Sequence, residues 1–323
     1  MTPLRTLGSS DLRISPIGLG CWQFSKGVGL VGRYWPELPD SVARDIVQES
    51  IRGGVNWFDT AEAYGWGTSE KMLSDSLTSL GKKPGDVVIA TKWWPALRTS
   101  SSMLRSIGVR RRKLGGFPID LYQIHQPLGL SSVEREMDAM ARLVESGNIR
   151  YVGVSNFSAE RMRRADARLR QHGLRLISNQ VSYSLLNRVI ESNGTLRAAQ
   201  ELGISIIAYS PLAQGILSGK FHAGGPSPAR ITGVRRYLRS FSRAGLERTR
   251  PLVRLLTDIA AARGTTPAQV SLQWLVSFSG ESVVAIPGAR SPRQANENAA
   301  SMNFTRTPEE RASIDRESKR FSR

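Results

Sequence analysis

Four residues of this 323-residue chain carry side chains suited to a shared proton-transfer site. Asp59 and Tyr64 stand five residues apart in NWFDTAEAYGWGTSEKML (56–73), directly after a short apolar run. Lys92 closes the run DVVIATK (86–92), and His125 closes IDLYQIH (119–125). A tyrosine is a poor acid at neutral pH, because its ordinary pKa is about 10. A nearby ammonium stabilises the phenolate and brings that value down towards a useful range. Lys92 could supply the ammonium, Asp59 could fix and neutralise it, and His125 could orient or polarise a carbonyl oxygen beside the phenol. A proton donor beside a hydride source describes carbonyl reduction. Taken singly, the residues have ordinary readings as a strand-end ion pair, a core histidine and a loop tyrosine. The chemistry therefore depends on the fold bringing all four to one rim.

The elements that could do so are legible as apolar runs separated by helical patterns. The runs are ISPIGLG (14–20), VNWFDT (55–60), DVVIATK (86–92), IDLYQIH (119–125), IRYVGVS (149–155), LISNQV (176–181), ISIIAYS (204–210) and SVVAIPG (282–288). Most are apolar nearly throughout, as strands buried on both faces must be. Between them lie segments such as DSVARDIVQESIRGG (40–54), with an Asp cap and a glycine stop, and SSVEREMDAMARLVESGNI (131–149). The second places Met137, Met140, Leu143 and Val144 on one helical face. Eight strand-then-helix units predict an α/β fold, a (β/α)8 TIM barrel, rather than an open doubly wound sheet. No boundary linker divides residues 1–323, so one domain is expected. Residues 211–250 form a long loop after the seventh strand, before a helix expected at PLVRLLTDIAAARG (251–264). Long βα loops on barrels are usually functional, which makes this one a candidate cofactor clamp.

Barrel active sites draw on the C-terminal ends of different strands. Here those ends deliver Asp59, Lys92, His125, Ser155 with Asn156, Gln180, Tyr209 with Ser210, and Pro287 with Gly288. Tyr64 follows Asp59 by one loop turn and can fold back over the same mouth.

Composition narrows the class. Hydrophobic residues make up 40% of the chain, ample for a core, and the lone Cys21 gives neither a disulfide framework nor a Cys-based zinc site. No apolar run approaches the roughly 20 residues that span a bilayer. The first residues lack a signal pattern, so a soluble cytoplasmic protein with no membrane partner is expected. The net charge of +18 gathers in VRRRK (109–113), ERMRRADARLR (160–170) and GVRRYLRSFSR (233–243). No zinc-finger spacing or aromatic-basic motif accompanies these runs, so nonspecific polyanion sticking is expected, and no specific nucleic-acid partner. There is no GxGxxG after a first strand, no GxSxG elbow and no HExxH, which leaves Rossmann, serine-hydrolase and zinc-protease readings unsupported.

At these residues the sequence resembles the aldo-keto reductase superfamily. FDTAEAYGWGTSE (58–70), ATKWWP (90–95), DLYQIHQP (120–127), VGVSNFS (152–158), NQVSYSLLNR (179–188), AYSPLAQGILSGK (208–220) and IPGARSPRQANENA (286–299) are similar to its blocks, in family order over about residues 4–310. The resemblance implies the same barrel, a small-molecule carbonyl substrate and metal-free reduction of aldehydes and ketones by NADPH, with NADP+ as the product. By resemblance, Tyr64 is the general acid, Lys92 and Asp59 lower its pKa, and His125 binds the carbonyl. Ser155, Asn156 and Gln180 would hold the nicotinamide carboxamide, and Tyr209 would stack on its ring. Ser210, Leu212, Gln214, Gly215 and Lys220 would follow the pyrophosphate, with Arg230 as a clamp. Arg290 and Gln294 would meet the 2′-phosphate and Asn298 the adenine. Gly20, Trp22, Pro211, Gly288 and Glu297 complete the expected cofactor set.

Trp22, Tyr34, Trp35, Trp66, Trp93 and Trp94 lie in or beside the first three βα loops. Trp22, Trp93 and Trp94 are the expected substrate-pocket residues, suited to apolar or aryl carbonyls. Small dicarbonyls, sugar aldehydes and pyridoxal-type substrates stay open, as does the oligomeric state. An alternative is a cofactor-binding regulator like the ion-channel β-subunits of the same superfamily. Those commonly carry asparagine at the position of His125.

Overall fold

In the computed structural model, which describes residues 4–222, 231 and 233–322, the apolar runs become short parallel strands arranged in chain order. A hairpin precedes them, β1 (Arg5–Thr6) paired antiparallel with β2 (Arg13–Ile14). Eight strands follow: β3 (Leu19–Gly20), β4 (Trp57–Asp59), β5 (Val88–Trp93), β6 (Leu121–Ile124), β7 (Tyr151–Ser155), β8 (Leu176–Ser182), β9 (Ser205–Tyr209) and β10 (Val283–Ala285). Each pairs parallel with the next. The sheet closes where Ile17 and Gly20 bridge to Ala285 and Gly288, with the Gly18 amide donating to the Ala285 carbonyl at 2.8 Å. This is the expected (β/α)8 barrel.

The helices are α1 (Gly29–Gly32), α2 (Asp40–Arg52), α3 (Thr68–Ser79), α4 (Ser100–Lys113), α5 (Val133–Glu145), α6 (Ala159–Arg170), α7 (Thr195–Leu202), α8 (Arg243–Ala262), α9 (Pro267–Phe278), α10 (Pro292–Ala300) and α11 (Pro308–Ser318). They surround the strands, and their inward faces pack with the outward faces of the strands into one large core.

Inward side chains follow the two-residue period of a strand. Leu7, Leu12 and Ile14 of the hairpin region close the N-terminal end of the barrel against Trp57, Ala90, Leu121, Ile177, Ile207 and Val284. Two residues further along the strands, the inward positions change character: Asp59 follows Trp57, Lys92 follows Ala90, Gln123 follows Leu121, and Tyr209 follows Ile207. In β8 the register shifts by one residue opposite Val152 and Gly153. That bulge lets Ile177 join the apolar plug while Gln180, three residues on, joins the polar layer.

Three details depart from the sequence reading. Residues 14–20 are not one strand, because Ile14 ends the hairpin and only Leu19–Gly20 enters the barrel. Asp40 does not cap α2 with its side chain; the N-cap is Pro39 and Asp40 is the first helical residue. The helix expected at 251–264 starts eight residues earlier as α8, because the Ser242 side chain accepts from the Gly245 amide and nucleates it, leaving Pro251 inside. Much of the stretch 211–250 is therefore helical, including 3-10 turns at Ala213–Ser218, Gly233–Tyr237 and Arg239–Phe241.

Much of the basic charge is internally matched. On and beyond α6, Arg164 pairs with Glu134 at 2.9 Å, Arg168 with Asp138 at 2.6 Å, and Arg170 and Arg175 with the buried Asp166. Among the described residues no helix is long and apolar enough to cross a membrane. In the 109–113 run, Arg110 turns inward to Glu70 at 2.8 Å, both almost fully buried. Glu70 also accepts from the Thr91 hydroxyl at 2.6 Å, which ties α3 to β5.

Burial pushes Glu70 up to about 7, opposed by Arg110 and the Thr91 bond. A carboxyl whose folded pKa is raised binds more protons folded than unfolded, so its stability contribution falls as pH rises from about 4.3 through 7. Arg110 holds the Glu70 value down, so Arg110→Met should raise it further, and the deficit should grow as pH rises above about 7, towards about 3–5 kcal/mol for an uncompensated buried carboxylate. It should be smallest below about pH 7, where Glu70 is protonated with or without Arg110, as read by urea unfolding at each pH. A loss that is the same at every pH would contradict this.

Candidate active site

The polar layer above the plug centres on one buried ion pair. Lys92 Nζ binds Asp59 Oδ1, and both side chains are essentially inaccessible. Lys92 also donates to the Thr60 carbonyl at 2.8 Å. The other carboxylate oxygen, Asp59 Oδ2, accepts from Gln180 Nε2 at 2.8 Å and Gln123 Nε2 at 3.1 Å. Two buried charges are tolerable only with such additional hydrogen bonds.

Tyr64 reaches this pair from the loop after β4. Gly65 makes the turn with a φ of 67°, and a Cβ there would meet the Ser25 carbonyl oxygen at 2.6 Å, so only glycine fits. The Ser69 amide donates to the Tyr64 carbonyl at 3.1 Å and holds the loop down. The phenol ring then lies with Lys92 Nζ 5.0 Å from its centroid. His125 continues the inward parity of Leu121 and Gln123, and its ring meets Tyr64 edge-on at 5.5 Å. The four residues expected to converge do so.

Their protonation is set by burial. Tyr64 is pushed well above the ordinary phenol value, first by burial and then by Asp59. This reverses the expectation that Lys92 and Asp59 lower it, since the lysine charge is matched by Asp59 and the carboxylate itself opposes a phenolate. Lys92 is lowered, with burial outweighing Asp59. His125 is held well below 6.5 by burial and the Lys92 charge, so its imidazole is neutral at ordinary pH. Its Nδ1 is buried with no hydrogen-bond partner among the described residues.

A cleft of about 1260 Å³ runs from Tyr64 and His125 across the C-terminal ends of β7 to β10. That volume accommodates a dinucleotide beside a small molecule. Every expected cofactor residue among those described lines it: Gly20 and Trp22; Ser155, Asn156, Gln180 and Tyr209; Ser210, Pro211, Leu212, Gln214, Gly215 and Lys220; Gly288, Arg290, Gln294, Glu297 and Asn298. Arg230 lies outside the described residues. Asn156 is bracketed by Gln126 Oε1 at 3.1 Å and the Tyr209 hydroxyl at 3.2 Å. Asn156, Ser210, Ala213 and Gln214 all hold left-handed backbone, a strain of roughly 1–3 kcal/mol each that clusters along this cleft.

The cleft's chemistry suits a phosphate-bearing dinucleotide. Lys220 is lowered by burial and then by Arg235, Arg290 and Arg293, cations whose mutual repulsion a bound polyanion would relieve. Gln180 spends its amide nitrogen on Asp59 and Gln123, which leaves its oxygen as an acceptor for a carboxamide. Gln23 Oε1 and Arg290 Nε are buried in the cleft wall without hydrogen-bond partners among the described residues. Gln23, Gln126 and Arg235 also line the cleft and are not among the residues expected from the sequence. Gln126 adjoins His125, but Arg235 sits in a segment whose path no motif fixes.

The mouth is aromatic. Trp22 stacks between Tyr34, at 4.8 Å, and Tyr64, at 6.1 Å, while Trp94 meets His125 edge-on at 5.2 Å. Trp35 also lines the cleft, with the Arg235 guanidinium 5.3 Å from its ring. Trp93 does not line it. With Lys92 pointing inward, its neighbour points outward, and Trp93 is fully buried in the helix-side core with its indole N–H near Ser102. Trp66 is largely exposed on the surface instead.

A profile of the Aldo/keto reductase family matches residues 16–319. The chain belongs to the aldo-keto reductase family. It is similar to an uncharacterised oxidoreductase of Mycobacterium tuberculosis, 39% identical over 303 residues, covering 94% of this chain and 88% of that one. It is 30% identical to the chloroplastic pyridoxal reductase of Arabidopsis thaliana, covering 97% of this chain and 86% of the relative. An aldo-keto reductase from Klebsiella pneumoniae, solved with NADPH, superposes with a TM-score of 0.74 at 26% identity, covering 98% and 95% of the two chains. As an aldo-keto reductase, this protein is an oxidoreductase of the carbonyl-reducing kind.

With Tyr64 held protonated and His125 held neutral, neither titrates near neutrality. We expect the kcat of this aldo-keto reductase to be flat from about pH 6 to 8 and to fall only on the alkaline side. A pH profile with an inflection near 6.5 that disappears in His125→Asn would contradict the burial-set protonation.

Proposed function

We propose that this protein reduces an aldehyde or ketone to an alcohol using NADPH, with Tyr64 as the general acid. The observation that carries the reading is the contact of Tyr64 with His125 over the buried Lys92–Asp59 pair, at one end of a cation-lined cleft. NADPH, when bound, supplies the hydride that reduces the carbonyl carbon. The protein's own groups do the rest. Trp22 and Trp94 wall the mouth and exclude water from the reacting face. The neutral His125 imidazole steers the carbonyl oxygen towards the phenol, and Tyr64 gives that oxygen its proton. A raised phenol pKa is compatible with this role, because a developing alkoxide is a stronger base than a phenolate. Lys92 compensates the phenolate that remains, and Asp59 keeps the lysine in place.

For the cofactor, Ser155, Asn156 and Gln180 would hold the carboxamide, and Tyr209 would lie under the ring. Ser210, Pro211, Leu212, Gln214, Gly215 and Lys220 would follow the pyrophosphate, with Gly20 and Gly288 flooring the cleft. Arg290 and Gln294 would meet the 2′-phosphate, with Glu297 and Asn298 near the adenine. Arg290 favours a phosphate over a bare hydroxyl, since a guanidinium forms charge-assisted bonds with the former. The aromatic mouth favours flat, apolar carbonyls.

NADPH consumption against a panel of carbonyls tests the reading. Wild type should oxidise NADPH with at least one aromatic aldehyde, and Tyr64→Phe should lower kcat by about 10²–10⁴. Full activity in Tyr64→Phe would remove the assigned acid, and tight NADPH binding without turnover of any carbonyl would favour a regulatory role. Separately, Arg290→Ala should cut the preference for NADPH over NADH by about tenfold or more. An unchanged preference would place the 2′-phosphate elsewhere.

A further inference from the structure

Asp59 Oδ2 has a second ligand that none of the catalytic roles above uses. Gln123, on β6, is fully buried and projects into the barrel between Leu121 and His125. Its amide nitrogen donates to Asp59 Oδ2 at 3.1 Å, while its amide oxygen accepts from Gln180 Nε2 at 3.3 Å. Gln180 Nε2 in turn donates to the same Asp59 oxygen at 2.8 Å. The three side chains thus close a ring of hydrogen bonds in which both ends of the Gln123 amide are used. The neighbouring strand is cleared for it. Gly153, directly opposite Gln123 in the β6–β7 register, has no side chain, and a Cβ there would lie 3.0 Å from Gln123 Cγ and 2.4 Å from Ser178 Oγ. An apolar residue would continue the Leu121 plug at this position; the amide instead serves the carboxylate.

We propose that Gln123 is a positioning residue for the reaction: it holds the Asp59 carboxylate so that its other oxygen keeps Lys92 beneath the Tyr64 ring. This rests on the reductase reading. Losing the donor frees Asp59 Oδ2 to rotate and leaves a buried carboxylate oxygen under-satisfied. The Lys92 ammonium then loses its fixed place against the phenol, and proton delivery slows while the cofactor cleft remains intact.

The experiment compares Gln123→Met, close in volume but without a donor, with Gln123→Glu, which can donate only when protonated. We expect Gln123→Met to lower kcat about tenfold or more, with NADPH affinity from fluorescence titration changed by less than about threefold. Gln123→Glu should approach wild type as pH falls, because the protonated acid donates to Asp59, whereas the Met variant should not recover. In the protein without NADPH, the carbon-13 signal of Lys92 Cε, assigned by its loss in Lys92→Met, should move in Gln123→Met and return towards wild type in Gln123→Glu at low pH. A Met variant within twofold of wild-type kcat overturns the proposal, as does a fall in NADPH affinity that matches the fall in kcat. If the Met variant does not fold, the ratio of Gln123→Glu to wild type decides: a rise towards acid supports the proposal, and a ratio independent of pH overturns it. If wild type reduces no carbonyl, the reductase reading fails, and an unmoved Lys92 signal separately overturns the clasp on Asp59.

Discussion

The structure depends on keeping one ammonium and one carboxylate together inside the barrel. Lys92 and Asp59 are both removed from water, and desolvating each charge costs several kcal/mol before any attraction is counted. Such a pair persists only with further hydrogen bonds, and here the Thr60 carbonyl accepts from Lys92 while Gln123 and Gln180 donate to Asp59 Oδ2. The requirement propagates outward. The hairpin residues Leu7, Leu12 and Ile14 seal the barrel below, and the β8 bulge delivers Gln180 at the height of Asp59. Gly153 leaves space for Gln123.

The same burial governs the groups above the pair. A phenol and an imidazole placed at the inner end of the cleft, over an ion pair whose charges offset, both take their uncharged forms, and Tyr64 and His125 shift in the corresponding directions. Tyr64 is thereby a protonated phenol rather than a standing phenolate. Positive charge gathers instead around Lys220, which feels Arg235, Arg290 and Arg293. One end is neutral and aromatic, the other cationic, which is the polarity expected for a dinucleotide lying with its phosphates away from the reacting carbon.

Strand ends are legible because most of the apolar runs give way to a strongly polar or loop-forming residue, and the barrel brings those ends to the mouth. Parity was legible only in part. Lys92 and Trp93 are adjacent, and once Lys92 points inward Trp93 must pack outward, yet tryptophan suggested a pocket wall. Gln123 gives no such signal because it lies within an apolar strand rather than at its end, although it shares the inward face with His125. The direction of the Tyr64 shift could not be read, since it depends on whether Asp59 neutralises Lys92 before Lys92 acts on the phenol. The early start of α8 was hidden by a polar, Arg-rich turn with Pro251 nearby, which suggested a boundary where there is none.

In the proposed reaction these elements would serve a single chemical event, hydride arriving at a carbonyl carbon while Tyr64 protonates its oxygen. The most direct test is reduction of an aromatic aldehyde with NADPH carrying deuterium at the transferable position of the nicotinamide, followed by analysis of the product. The account predicts one deuterium on the carbinol carbon of the alcohol formed by the wild-type protein. NADPH bound in the cleft with no deuterium in any alcohol would contradict it.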